Sequence, residues 1–311
     1  KIHAAGGLTT AIAHMPVQGR NPDVFQNHDQ VFGVSQWVVD GLFSAGLPVW
    51  PAPLYGVANL ERVHHKTPLI CRSRYDWDLR KGRDRIFSWI EPWVDPFLPH
   101  RPFERRNGLT LGIVSRITPI KQFPLLFERL SPIMTQFPDV QLEIFGSGGY
   151  ASIRDLTRAL RPIRDQVRFW GDQSDVASVY QGIDYLLTGL PEKEALGLNV
   201  IEAMTCGTPV LAPAAPPFTE TIIDGATGFL YRDPREDAGA DFARLIEHLR
   251  TMSRPPDPRS SQAHLDRFSF TAFVARLQPV IEWAHTELSK RSMKGVSNDH
   301  TNQEIYQGIS T

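Results

Sequence analysis

Between Leu109 and Tyr231, short continuous apolar runs alternate with stretches whose apolar positions recur every three or four residues. Leu109-Thr110-Leu111-Gly112-Ile113-Val114 is short and uninterrupted, which predicts a buried strand, and residues 123–130 follow with helical spacing. Val140-Gln141-Leu142-Glu143-Ile144-Phe145 is a second strand, ended by Gly146-Ser147-Gly148-Gly149. A helix over 151–160, a strand over 167–170, a helix over 175–181 and a strand over 185–188 continue the pattern. Strands that alternate with helices imply an α/β protein with a parallel, doubly wound sheet.

The run from Glu194 to Ala212 carries this alternation forward and concentrates the candidate chemistry. Leu198, Ile201 and Met204 recur at helical spacing, Gly207 and Pro209 stop the helix, and Val210-Leu211-Ala212 is a short strand. A helix opening at Gly197 leaves the amides of Leu198 and Asn199 without intrahelical partners at the positive end of its dipole, which makes an anion site. Glu194 precedes that start and Glu202 lies on the helix, so the two carboxylates serve different parts of one ligand. A short helix and a last strand follow within residues 218–231, and helices over 238–252 and 271–288 close the domain.

The chain before Leu109 is less regular. Residues 1–28 are broken by Gly6-Gly7, Pro16, Gly19 and Asn21-Pro22 and predict a loop-rich lead-in with one short helix. Residues 29–34 predict a strand leading into a helix capped by Ser35 and ended by Gly46. From Arg72 to Arg106, nine basic and six acidic residues are interleaved with Trp77, Phe87, Trp89, Trp93, Phe97 and Phe103. This segment is either an anionic-surface or acceptor-binding patch, or an interdomain stretch with buried aromatics and solvated charges; the second reading is preferred. Pro92 to Pro99 predicts an extended linker. The domain expectation is therefore a partial first domain with linker over 1–108, a complete second domain over 109–288, and a polar, disordered tail over 289–311. About 100 residues can hold only about three βαβ-sized repeats, so the first domain reads as truncated.

Composition narrows the function classes. With 33 basic and 34 acidic residues among 311, the net charge of −1 argues against a general nucleic-acid binder. Cys71 and Cys206 make neither a disulfide framework nor a metal cluster, which fits a reducing, cytoplasmic compartment. No apolar run reaches the roughly 18–20 residues that span a bilayer, which leaves peripheral contact with a membrane as the remaining mode of association. No His, Cys, Asp and Glu grouping has metal-ligand spacing, and Asp76-Trp77-Asp78 has no strand before it, so no metal is expected. No local motif selects His3, His14, His28, His64 or His65 for catalysis.

Ser115-Arg116-Ile117-Thr118-Pro119-Ile120-Lys121 follows the strand of 109–114 and places two cations in a strand-to-helix loop, where open α/β sheets bind ligands. Taken with Glu194, Gly197, Glu202 and the run Glu202-Ala203-Met204-Thr205-Cys206-Gly207-Thr208-Pro209-Val210, this resembles the retaining nucleotide-sugar-dependent glycosyltransferases of family 4, with their Glu-x7-Glu signature. The resemblance implies the GT-B architecture of two facing Rossmann-like domains, the first incomplete here. It also implies a metal-independent hexosyltransferase without a cofactor, whose donor is a nucleotide diphosphate sugar and whose acceptor is a sugar, lipid or protein. By the same resemblance Glu194 faces the transferred sugar as the catalytic residue, and Glu202 holds the ribose. Arg116, Lys121 and the amides near Gly197, Leu198 and Asn199 bind the rest of the donor. Ser115 and Gln122 stand where the family has glycines, and Thr188-Gly189 where it has Pro-Ser. The alternatives are a non-catalytic nucleotide-binding module and a sugar-nucleotide epimerase of the same architecture.

Overall fold

The computed structural model describes residues 7–17, 21–58, 68–94 and 102–307. The chain divides into two compact units, Lys1–Val57 with Ser269–Thr311, and Ala58–Phe268. In the first unit, strands β1 (Thr10–Ala13) and β2 (Gln30–Gly33) pair in parallel from Thr10↔Gln30 to Ala13↔Gly33. Helix α1 (Gln36–Ser44) follows, with the Ser35 hydroxyl accepting from the Val38 amide at 3.2 Å and Gly46 at φ 72° ending it. β1 lies where the sequence predicts only loop. It has four residues and a mostly solvated face, too little alternation to read.

The second unit begins with a segment absent from the predicted pattern, helix α2 (Gly82–Val94). The expected extended linker is corrected here, because the backbone stays helical through Pro92; residues 95–101 lie outside the described ones. After α2 the predicted alternation appears with shifts of a few residues: β3 (Leu109–Val114), α3 (Phe123–Met134), β4 (Val140–Phe145), α4 (Tyr150–Ala159), β5 (Val167–Gly171), α5 (Val176–Gln181) and β6 (Tyr185–Leu187). Then come α6 (Leu198–Thr205), β7 (Val210–Pro213), α7 (Phe218–Thr221), β8 (Gly228–Tyr231), α8 (Ala240–Thr251) and α9 (Gln262–Leu265).

The six strands β3 to β8 form one parallel sheet in the order β5-β4-β3-β6-β7-β8. β3 sits at the centre, paired to β4 from Leu109↔Val140 to Val114↔Phe145 and to β6 at Leu111↔Tyr185. Leu111, Ile113, Leu142, Ile144, Leu126, Phe127 and Phe242 fill the core with no exposed surface. That double burial is why these strands read as continuous apolar runs. The strand order reverses between β3 and β6, so a crevice opens outside their carboxyl ends.

The last helix, α10 (Phe270–Gln307), departs from the expected organisation in two ways. It continues past Leu288 through residues expected to be disordered, and it belongs to the first unit rather than closing the second. Its Trp283 meets Trp50 edge-on at 6.1 Å, Arg276 lies 4.7 Å over the Tyr55 ring, and Arg291 donates to the Gly7 carbonyl at 2.6 Å and pairs with Asp29. Arg291 and the Thr9 amide together hold the Asp29 carboxyl below the usual range despite its partial burial.

Candidate functional site

The two loops that leave β3 and β6 at the reversal point carry most of the sequence-selected residues. The loop after β3 is fastened to the one after β4 by backbone bonds from the Ser115 amide to the Phe145 carbonyl (3.1 Å) and from the Ile117 amide to the Ser147 carbonyl (2.8 Å). Gly146 makes this approach feasible: its φ is 136°, and a Cβ there would lie 2.0 Å from the Ser115 carbonyl oxygen. The Gly-rich turn is thus a packing device for the loop that holds Arg116.

Lys121 and Glu194, one from each loop, form an ion pair. The other oxygen of Glu194 accepts from the Gly197 amide at 3.1 Å, so the carboxylate is fixed to the start of α6 independently of the lysine. Gly197 caps α6 in the left-handed region at φ 77°, with no side-chain hydrogen bond of its own to the first turn. Asn199 braces that turn against the sheet through a bond from Nδ2 to the Val114 carbonyl at 3.1 Å, while Leu198 is exposed. Behind the loop, Arg235 binds both Glu192 and Asp233 and holds the Asp233 carboxyl below its ordinary range.

Arg116 and Glu202 line one cavity of about 160 Å³, together with Ser115, Gly146, Asp172 and Gln173. Arg116 also pairs with Asp76 at 3.1 Å, and since both side chains are more than half exposed the pair is worth at most about 1 kcal/mol. Glu202 is half-buried, and burial raises its pKa above the usual carboxylate range. A hydrogen bond donated by the Tyr180 hydroxyl (3.0 Å) opposes the rise. Tyr180 itself is fully buried, and its own ionisation is pushed far up by burial and by Glu202.

Two partners were not legible in sequence. Asp76 lies in the charged segment, which reaches the site because its backbone pairs with Gly148 (Asp76 amide to Gly148 carbonyl, 2.8 Å). Tyr180 carries no motif; only the packing of α5 beside α6 places it on Glu202. Of the five histidines weighed, His3, His64 and His65 lie outside the described residues, and His14 and His28 lie in the first unit. Among the described residues no group of His, Cys, Asp or Glu is placed to hold a metal ion.

Gln122, at a position where the resembled pattern has glycine, adopts φ 54° and ψ 25°, the left-handed conformation that glycine favours. Its Oε1 is also buried without a partner. Gln122→Gly should therefore stabilise the chain by about 1 kcal/mol through relief of both costs. A thermal melt with an unchanged or lower midpoint would contradict this.

With this geometry in view, comparison with known proteins is decisive for the family. Residues 99–258, just over half of the 311-residue chain, match the family described as glycosyl transferases group 1. The chain belongs to that family. Its curated relatives include the D-inositol 3-phosphate glycosyltransferase of Segniliparus rotundus, 32% identical over 52% of this chain and 37% of that protein. They also include the N-acetyl-alpha-D-glucosaminyl L-malate synthase of Bacillus anthracis, 27% identical over 54% of this chain and 43% of that protein. The chain thus spans about half the length of the curated relatives it matches or less. Among solved structures, Anabaena Alr3699/HepE in complex with UDP and glucose superposes with a TM-score of 0.62 at 18% identity, covering 90% of this chain and 73% of that one. Such a likeness establishes the α/β, GT-B fold, with a six-stranded second sheet and two described strands in the first. No helix among the described residues is long and apolar enough to cross a membrane.

Proposed function

We propose that the second unit binds a nucleotide diphosphate sugar and that the protein transfers its hexose to an acceptor with retention of configuration. The observation that carries this reading is the convergence of Arg116, Lys121, Glu194 and Gly197, on the two loops that flank the reversal point of the sheet, with Glu202 on α6. Arg116, Lys121 and the first-turn amides of α6 supply fixed positive charge for the diphosphate leaving group, so the reading requires neither metal nor cofactor. Glu202 holds the ribose hydroxyls from the cavity wall. Glu194 faces the sugar; its bond to the Gly197 amide keeps it in place when a diphosphate draws Lys121 away. The weak Arg116–Asp76 pair likewise yields to a phosphate at little cost. The UDP and glucose named for the Anabaena structure support a nucleotide-sugar donor. The acceptor is a sugar, lipid or protein; the names of two relatives carry D-inositol 3-phosphate and L-malate. The setting is cytoplasmic.

Calorimetry with UDP, GDP and ADP tests the donor site. Arg116→Ala should weaken whichever diphosphate binds by about 1.5–3 kcal/mol, the value of a hydrogen bond to a charged group. Unchanged affinity in a folded variant would refute the assignment. The two-stranded sheet described in the first unit favours a second reading, a module that binds the nucleotide without transferring the sugar. Release of nucleoside diphosphate from a bound nucleotide sugar, dependent on an added acceptor mixture, would decide for transfer.

A further inference from the structure

Helix α2 is amphipathic in the wrong sense for a helix that packs by its apolar face. Ile86, Trp89, Ile90 and Trp93 recur at the i, i+3, i+4, i+7 spacing of a single stripe. In a helix that packs on a core this stripe is buried, yet here Trp89 is 70% exposed, Trp93 69% and Ile86 59%, while the residue turned inward is Asp84 at 2%. Phe87 flanks the stripe, stacked at 5.5 Å on Trp77 and still half-exposed, and Leu79 just ahead of the helix is exposed as well. The preferred sequence expectation of buried aromatics in this segment is therefore corrected for α2. Contiguous apolar exposure of this kind marks a surface that meets something other than water.

The charges around the stripe indicate what that is. Arg80, Lys81 and Arg85 are exposed at the amino-terminal end of α2, and Arg85 stands one turn before Trp89, at the edge of the stripe. Among the acids nearby whose side chains are described, Asp84 is buried, Asp76 pairs with Arg116, and Asp78 makes a loose, solvent-screened contact with Lys81 at 3.5 Å. Indoles beside guanidinium and ammonium groups suit a headgroup layer, where the rings sit at the boundary and long basic side chains reach the phosphates.

We propose that α2 is an interfacial helix that docks on an anionic bilayer, with Ile86, Trp89, Ile90 and Trp93 entering the acyl boundary and Arg80, Lys81 and Arg85 on lipid phosphates. The helix lies on the membrane and does not span it. Docking of this kind is independent of which donor or acceptor the sheet unit takes.

The test is vesicle flotation of the full chain with phosphatidylcholine alone and with phosphatidylcholine containing about 30% phosphatidylglycerol, at low and high salt. The wild type should float with the anionic vesicles only, and less so at high salt. Trp89→Ala/Trp93→Ala and, separately, Arg80→Glu/Lys81→Glu/Arg85→Glu should each reduce partitioning on the order of tenfold or more. All these residues are exposed, so melting temperatures should match the wild type. No binding to anionic vesicles, equal binding to neutral ones, or undiminished binding by folded variants would each overturn the proposal. So would a dimer that the tryptophan pair abolishes in a wild type that ignores vesicles, which would assign the stripe to a second copy of the chain.

Discussion

Glu143→Ala is expected to cost the second unit about 3–5 kcal/mol, the usual loss when one member of a buried charge pair is removed. Glu143 is fully buried in the middle of β4. It accepts from Arg106 Nε at 3.0 Å and Nη2 at 2.8 Å, and its other oxygen accepts from the Trp170 indole at 2.6 Å. Removing the carboxylate orphans a guanidinium that is itself mostly buried and an indole N–H packed under Phe103. Arg106 keeps its bonds to the Asp165 and Gln166 carbonyls, which places the expected loss toward the lower end of that range. Glu143→Gln retains an acceptor for the indole and should recover part of it. Urea titration of the three proteins is the measurement; a loss below about 1 kcal/mol for the alanine variant would show that the pair does not anchor the entry to the sheet.

The sheet that Glu143 anchors was legible because its strands are buried on both faces. Each appears as a short apolar run such as Leu109–Val114 or Val140–Phe145, and their ends were placed within about a residue. The loops at the strand ends stood out for a different reason: against a plain α/β background, Arg116 and Lys121 are cations able to pair with phosphate oxygens, and Glu194 and Glu202 are carboxylates able to accept from sugar hydroxyls. Their pairings were not legible. Lys121 meets Glu194 through 73 residues of intervening chain and Arg116 meets Asp76 through 40, and local spacing contains neither distance. The same limit explains α10, whose polar carboxyl-terminal half has no apolar stripe and whose earlier turns pack on residues near the start of the chain, at Trp50 and Tyr55. α2 was obscured by its charges: its stripe has helical spacing, but in a segment so dense in Arg, Lys, Asp and Glu it read as linker.

Glu202→Ala is expected to weaken binding of nucleoside diphosphate and nucleotide sugar alike by about 1.5–3 kcal/mol, roughly ten- to hundredfold. Glu194→Ala should spare the nucleoside diphosphate and impair only the sugar-bearing ligand or its turnover. Equal losses of diphosphate affinity in the two variants would refute the division of roles. The position of Glu202 also has a stability signature. Burial raises its folded pKa above the unfolded value, so the favourable contribution of its proton is complete at pH below the unfolded pKa and is lost as pH rises through the folded one. Glu202→Gln keeps an oxygen to accept from the Tyr180 hydroxyl and carries no charge. It should match the wild type in stability near pH 4 and exceed it at neutral pH, while binding nucleotide more weakly. Tyr180→Phe removes the hydrogen bond that opposes the rise, so Glu202 should titrate at still higher pH and the acid limb of the nucleotide-affinity profile should move up with it. Thermal melts of Glu202→Gln and calorimetry of Tyr180→Phe across this pH range test the two statements. A Gln variant no more stable than the wild type at neutral pH would mean that Glu202 is ionised there without cost. A Phe variant with an unshifted profile would mean that Tyr180 fills space beside the carboxylate without tuning it.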